Sequence, residues 1–170
     1  MRKIFLIIMM VHSLIKTEGQ ALYPSGSFNS KPELDKFVGT WKWVSGNDTV
    51  ILALYKQAIY YAPPLNYHVE NIVGWHRYVK NGVLVENSSQ YSGQSYIGGH
   101  STILAWAKSA TKIYGVFEDI TKNKDCDLYL TMVDNTYTQM NLKIGESRGI
   151  RPTGFQYGFT LPTSIVLTKQ

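Results

Sequence analysis

The sequence predicts an all-β protein, an antiparallel up-and-down barrel of about 8–10 strands behind one short helix. Three observations lead there. Short runs rich in Val, Ile, Leu, Tyr and Thr recur about every ten residues, separated by Gly, Asn, Asp and Pro. Asn81-Gly82 stands between two apolar runs, the strongest local signal for a two-residue hairpin turn. Twelve Tyr, six Phe and four Trp in 170 residues suit pleated, half-buried surfaces.

The chain opens with a targeting signal. Arg2 and Lys3 form a basic start, and Ile4 to Val11 is an unbroken apolar run. That run is far shorter than the ~20 residues a membrane-spanning helix needs. His12, Ser13 and Lys16 end it, and Thr17 and Gly19 place small residues at −3 and −1 of a cleavage site before Gln20. Residues 1–19 are therefore expected to be a signal peptide, residues 20–36 a leader and short helix, and residues 37–170 a single barrel domain. The expected location is secreted or periplasmic, and an integral membrane protein is not expected. Loss of Arg2, Lys3, Lys16 and Glu18 lowers the formal charge from +5 to +3. With no Lys/Arg block remaining, no nucleic-acid partner is expected. The one cysteine, Cys126, has no partner for an internal disulfide and lies between Asp125 and Asp127, which should raise its pKa.

Ser30-Lys31-Pro32-Glu33 predicts the helix start, with Ser30 and Glu33 as a capping box and Pro32 in the first turn. Leu34 and Phe37 share its inner face, and Gly39 ends it. Strands are then expected at 40–45, 49–55, 58–61, 71–80, 83–86, 102–108, 112–119, 126–133, 139–144 and 161–168. Residues 62–66, with two prolines, break the second and third of these from the fourth. Residues 88–101 and 145–158 are irregular and Gly-rich; the first is a candidate loop over one barrel end.

The opening of the first strand is the most specific motif. Phe37-Val38-Gly39-Thr40-Trp41, directly after a short helix, resembles the start of the lipocalin-like (calycin) superfamily. Together with Val73-Gly74-Trp75-His76-Arg77-Tyr78-Val79-Lys80-Asn81-Gly82, Arg151-Pro152-Thr153-Gly154 and Phe159-Thr160-Leu161-Pro162, it resembles an uncharacterised family of small secreted bacterial proteins. The resemblance implies a barrel whose end is plugged by Trp41, with Gly39 permitting the tight entry. It also implies a cation over the indole, for which Arg148, Arg151 and Lys169 are the candidates. The chain departs from lipocalins in lacking their disulfide and a clear C-terminal helix.

No catalytic, metal or cofactor signature emerges. His76 alternates with Trp75 and Arg77, has no second ligand at i±2, and is read as a strand residue on the wetter face. His68 and His100 fall in loops. Gly93 to Gly98 has the wrong spacing for a nucleophile elbow. Glu118-Asp119 and Asp125-Cys126-Asp127 are read as solvated turn carboxylates. The protein is read as non-enzymatic, the enzymatic alternative being a hydrolase using His76 or His100. The aromatics carry the functional expectation: Trp43, Trp75, Arg77, Trp106 and Tyr114 are the candidate ligand-binding residues, with Gly39 and Trp41 structural. The expected role is an exported barrel for a small apolar or amphipathic ligand. The alternative is a cell-envelope interaction module with a filled barrel.

Overall fold

A computed structural model describes residues 23–149 and 153–170. The signal segment, and Arg151 with Pro152, lie outside the described residues. The strands are β1 (Phe28–Asn29), β2 (Gly39–Ser45), β3 (Asp48–Tyr61), β4 (Tyr67–Lys80), β5 (Val83–Asn87), β6 (Ile103–Ser109), β7 (Lys112–Asp119), β8 (Lys124–Met132), β9 (Gln139–Glu146) and β10 (Ser164–Lys169). A 3-10 helix, Pro32–Phe37, precedes β2. Strands β2, β3, β4, β6, β7, β8, β9 and β10 pair antiparallel in that order, and β10 returns to β2. The result is a closed, eight-stranded, up-and-down barrel. Among the described residues no helix is long and apolar enough to cross a membrane.

Strand β4 organises the exception to the simple meander. One edge pairs with β3 along its whole length. The other is shared by β1 at His68 and Val69, β6 at Ile72 to Gly74 and β5 at Arg77 to Lys80. The β4–β5 hairpin turns at Asn81 (φ 50°) and Gly82 (φ 79°), the two positive φ values that the Asn-Gly pair predicts. Strand β3 is one 14-residue strand, not two, because Lys56 and Gln57 stay in register with Ile72 and Asn71.

Alternation fills the interior. Along β8, Cys126, Leu128, Leu130 and Met132 point inward and are buried. They join Leu52, Leu54, Ile72, Phe117 and others in one packed cluster. An eight-stranded barrel leaves an interior just wide enough for such side chains. The helix closes one end with Leu34 and Phe37, both fully buried. Trp41 sits beneath it, and its indole N–H donates to the Phe37 carbonyl at 2.8 Å. Of the three candidate cations, Lys169 covers the ring, with Nζ 5.3 Å from the centroid, and it also donates to the Lys36 carbonyl. Gly39 has φ +129°, and a Cβ there would meet Lys169 Cε at 3.0 Å. Its missing side chain serves both the backbone turn and the lysine.

The capping box does not form. The helix is a single short 3-10 segment with Lys31 at its N-cap and no side-chain cap. Ser30 instead donates to Glu70 Oε2 at 2.8 Å, beside the Lys31 N–H at 2.6 Å. These bonds, the Lys31 N–H foremost, outweigh burial and hold the Glu70 carboxyl below its ordinary range.

A second small core lies on the outside of the barrel. Ile59, Val73 and Trp75 project from the outer face and are covered by the 88–101 loop through Tyr91 and Tyr96. The loop therefore folds against the barrel wall, while the helix and the 120–123 turn occupy the ends. Trp75 Nε1 donates to the Gly99 carbonyl at 2.8 Å. A Cβ on Gly99 would fall 1.9 Å from the Ser95 carbonyl oxygen.

Two expected outcomes follow from these packings. Trp41→Ala should cost about 3–5 kcal/mol in urea unfolding, and Lys169→Met about 1 kcal/mol through the lost cation–π contact. Gly99→Ala or Trp75→Phe should speed proteolysis and hydrogen exchange within 88–101 while the barrel's unfolding midpoint moves little.

Candidate functional site

The five candidate ligand residues occupy three places. Trp43 points into the barrel and packs partly buried against the main core. Trp75 and Arg77 share the outer face of β4, where Trp75 is fully buried under the loop and Arg77 is half-buried. Trp106 and Tyr114 meet on a different part of the outer wall, and only these two come together.

They stand opposite each other on β6 and β7, with ring centroids 5.2 Å apart and planes at 80°. Tyr129 on β8 continues the row, 4.9 Å from Tyr114. Strand alternation sends all three outward, and Trp106 is 40% exposed. Lys108 Nζ lies 5.9 Å from the Tyr129 ring centre. Tyr114 donates its hydroxyl to Asp127 Oδ1 at 3.2 Å, and burial, then that carboxylate, raises its pKa. Open clefts flank the row. One of about 290 Å³ is lined by Trp106, Lys108, Tyr114 and Tyr129. One of about 510 Å³ lies between Lys108, Lys112, Tyr129 and Lys143. A third, about 520 Å³, adds Asp127 and Arg148. Tyr129 and the lysines were not among the residues singled out in the sequence: alternation along Cys126-Asp127-Leu128-Tyr129-Leu130-Thr131 puts Tyr129 on the face of Asp127 and Thr131, but only the β7–β8 register sets it beside Tyr114.

His76 has a different setting from the wet face expected of it. It is fully buried inside the barrel, 4.8 Å from the Phe117 ring. Its row partners explain this: Leu52, directly opposite, is a core residue, so His76 shares the inner face with Tyr78. Nε2 lies 2.7 Å from Glu86 Oε2, and Nδ1 lies 2.8 Å from Thr102 Oγ1. Glu86 Oε1 accepts the Thr121 N–H at 2.8 Å. Ser88 accepts the His76 N–H at 2.9 Å and lies 3.2 Å from Thr102 Oγ1. Burial alone would raise the Glu86 pKa; the bonds from His76 and Thr121 overcome it and pull it from 4.5 to about 2. With Glu86 ionised and acceptor-only, His76 donates through Nε2–H. The order hydroxyl, imidazole, carboxylate is that of a hydrolytic triad. All four residues are 5% exposed or less. What they join is β4, β5, the start of β6 and the β7–β8 turn.

The same end of the barrel corrects the reading of the acidic residues. Asp119 is fully buried and accepts the Thr160 N–H and hydroxyl, each at 2.7 Å, and the Lys122 N–H at 3.0 Å. It anchors the returning 153–161 segment. Lys124 bonds Glu146 at 2.9 Å and lies over Phe155 and Phe159. His100 is exposed on the outer loop, its ring 4.4 Å from that of Tyr91, whereas His68, expected in a loop, lies in β4, paired with Tyr60 and exposed beside it. Among the described residues no three His, Cys, Asp or Glu side chains gather as a metal site would require.

Fold and surface together define a small closed barrel whose inside is occupied by its own side chains and whose outer wall carries an aromatic face. The chain belongs to DUF6705, a family of unknown function, which it matches over residues 1–170. No curated protein and no solved structure matches it.

Because Glu86 ionises lower in the fold than its ordinary 4.5, its charge stabilises the fold fully above about pH 4.5. That stabilisation is lost as pH falls towards about 2. Glu86→Gln should therefore cost about 2 kcal/mol at pH 7 and flatten the fall in stability between pH 5 and pH 3, read from urea curves at each pH.

Proposed function

We propose that this protein is an exported, lipocalin-like barrel that takes a small amphipathic ligand on its outer wall, at the face formed by Trp106, Tyr114 and Tyr129. The single observation that carries this reading is the row itself. Three large aromatic rings on adjacent strands form a continuous face with Trp106 40% exposed, bordered by open clefts. A row of rings spends interface-forming side chains on solvent, and such exposed aromatic clusters mark binding surfaces. The packed interior supports the outer wall over the barrel centre as the place for a ligand. The N-terminal signal pattern supports export.

A second reading, a cell-envelope interaction module, draws on a separate observation. Strand β5 pairs with β4, and its Val83, Leu84 and Val85 are 66%, 50% and 39% exposed. An exposed apolar strand of that kind is a template for strand addition by a protein.

The ligand reading is tested by titrating dodecyl maltoside, below its micellar concentration, and an anilinonaphthalene sulfonate dye into the mature protein. Trp41 and Trp75 are fully buried and Trp43 points into the barrel interior, so Trp106, the one exposed on the outer wall, should dominate the emission change. Trp106→Ala and Tyr114→Ala should each weaken binding about tenfold, about 1.4 kcal/mol. Unchanged affinity in both variants, or no binding at all, would remove the proposal.

A further inference from the structure

Resting on that reading of the aromatic face, we infer that its ligand is an acidic oligosaccharide laid across the strands. The strand register arranges the outer wall as two adjacent rows. The first runs Trp106, Tyr114, Tyr129, Lys143, Ser164 across β6, β7, β8, β9 and β10. The second runs Lys112, Thr131, Asn141, Val166 across β7 to β10. Five strands spaced ~4.8 Å apart make the first row ~20 Å long. The wall is thus a shallow track: rings at one end, ammonium, hydroxyl and amide groups at the other, with a cleft of about 510 Å³ along the middle.

Shape and chemistry select the ligand class. An acyl chain gains most from an enclosed apolar slot, whereas these clefts are open and their floor is one layer of rings beside polar groups. A sugar ring matches such a floor. Its C–H faces are weakly positive and meet the negative faces of aromatic rings, while its hydroxyl edge reaches Ser164, Thr131 and Asn141. Charge sets the remaining requirement. Lys108, Lys112 and Lys143 line the central cleft, no Asp or Glu lines it, and none of the three lysines is in an ion pair among the described residues. Three ammonium groups with no carboxylate between them favour carboxylate-bearing sugars. The wall's carboxylates lie outside that central cleft: Asp127 accepts from Tyr114 and lines the neighbouring cleft with Arg148, and Glu118 and Asp125 line another.

The test is calorimetric titration of the mature protein with a hexamer of galacturonate, its methyl-esterified neutral form, dodecyl maltoside and oligo-dT. The galacturonate hexamer should bind at least tenfold more tightly than the neutral form, and its affinity should fall as salt rises. Tyr129→Ala, and separately the triple variant Lys108→Gln, Lys112→Gln, Lys143→Gln, should each weaken it at least tenfold. All these positions are on the outer wall, and a thermal unfolding curve confirms that each variant is folded. Binding of dodecyl maltoside without binding of galacturonate would overturn the glycan while leaving the aromatic site in place. Equal affinity for acidic and neutral hexamers, or tighter binding of oligo-dT, would overturn it as well. Binding of none of the probes would remove both the glycan and the site.

Discussion

Everything in this molecule depends on closing the sheet between its first long strand and its last. The β2–β10 seam is short, with register pairs only at Lys42–Thr168 and Trp41–Lys169. By contrast β3 and β4 pair over their whole length. A seam with so few ladder bonds needs side chains to secure it. Lys169 reaches across to the Lys36 carbonyl and lies over Trp41, whose own N–H is tied to Phe37. Gln170 adds one more backbone bond, to Thr40. The chain's last residues thus hold the helix, the plug and the first strand together. Gly39 leaves the space in which they do so.

Closure in turn decides where function resides. Eight strands enclose too little room for both a core and a guest, and the inward positions here are taken by Leu, Ile, Phe and Trp side chains. The polar end is equally committed: His76, Glu86, Ser88 and Thr102 spend their hydrogen bonds on one another and on the Thr121 N–H, and Asp119 spends its own on the 153–161 segment. Groups with unspent chemistry are on the wall. There the molecule carries two separate features along β6: Leu104 packs under the 88–101 loop, and two residues later Trp106 begins the aromatic row.

The sequence was most legible where local chemistry decides the outcome. Asn81-Gly82 determines its own turn, and the Gly39-Trp41 spacing determines the barrel entry. Alternation placed Trp75 and Arg77 opposite His76 and Tyr78, as the fold has them. It could not say which face was inner, because in β4 both faces are buried, one by the core and one by the loop. That is why His76 reads as wet in sequence and is dry in the fold. Ser30 shows a related limit: its partner Glu70 is 40 residues away, so a capping motif that is locally plausible loses to a tertiary one. The aromatic face was half visible. Trp106 and Tyr114 stand out by size, while Tyr129 joins them only through the register of β7 with β8.

Cys126 is the chain's one cysteine, buried inside β8, and its thiol is pushed up to about 12. Burial is the main cause; Lys124 pulls the other way, and the carboxylates of Asp119, Glu146 and Asp125 add to the rise. A thiol kept protonated and out of solvent does not compete for electrophiles. Any cysteine introduced on the surface will therefore be the sole reactive sulfur, so a spin label or fluorophore can be set beside Trp106 or on the 88–101 loop with the native Cys126 left in place.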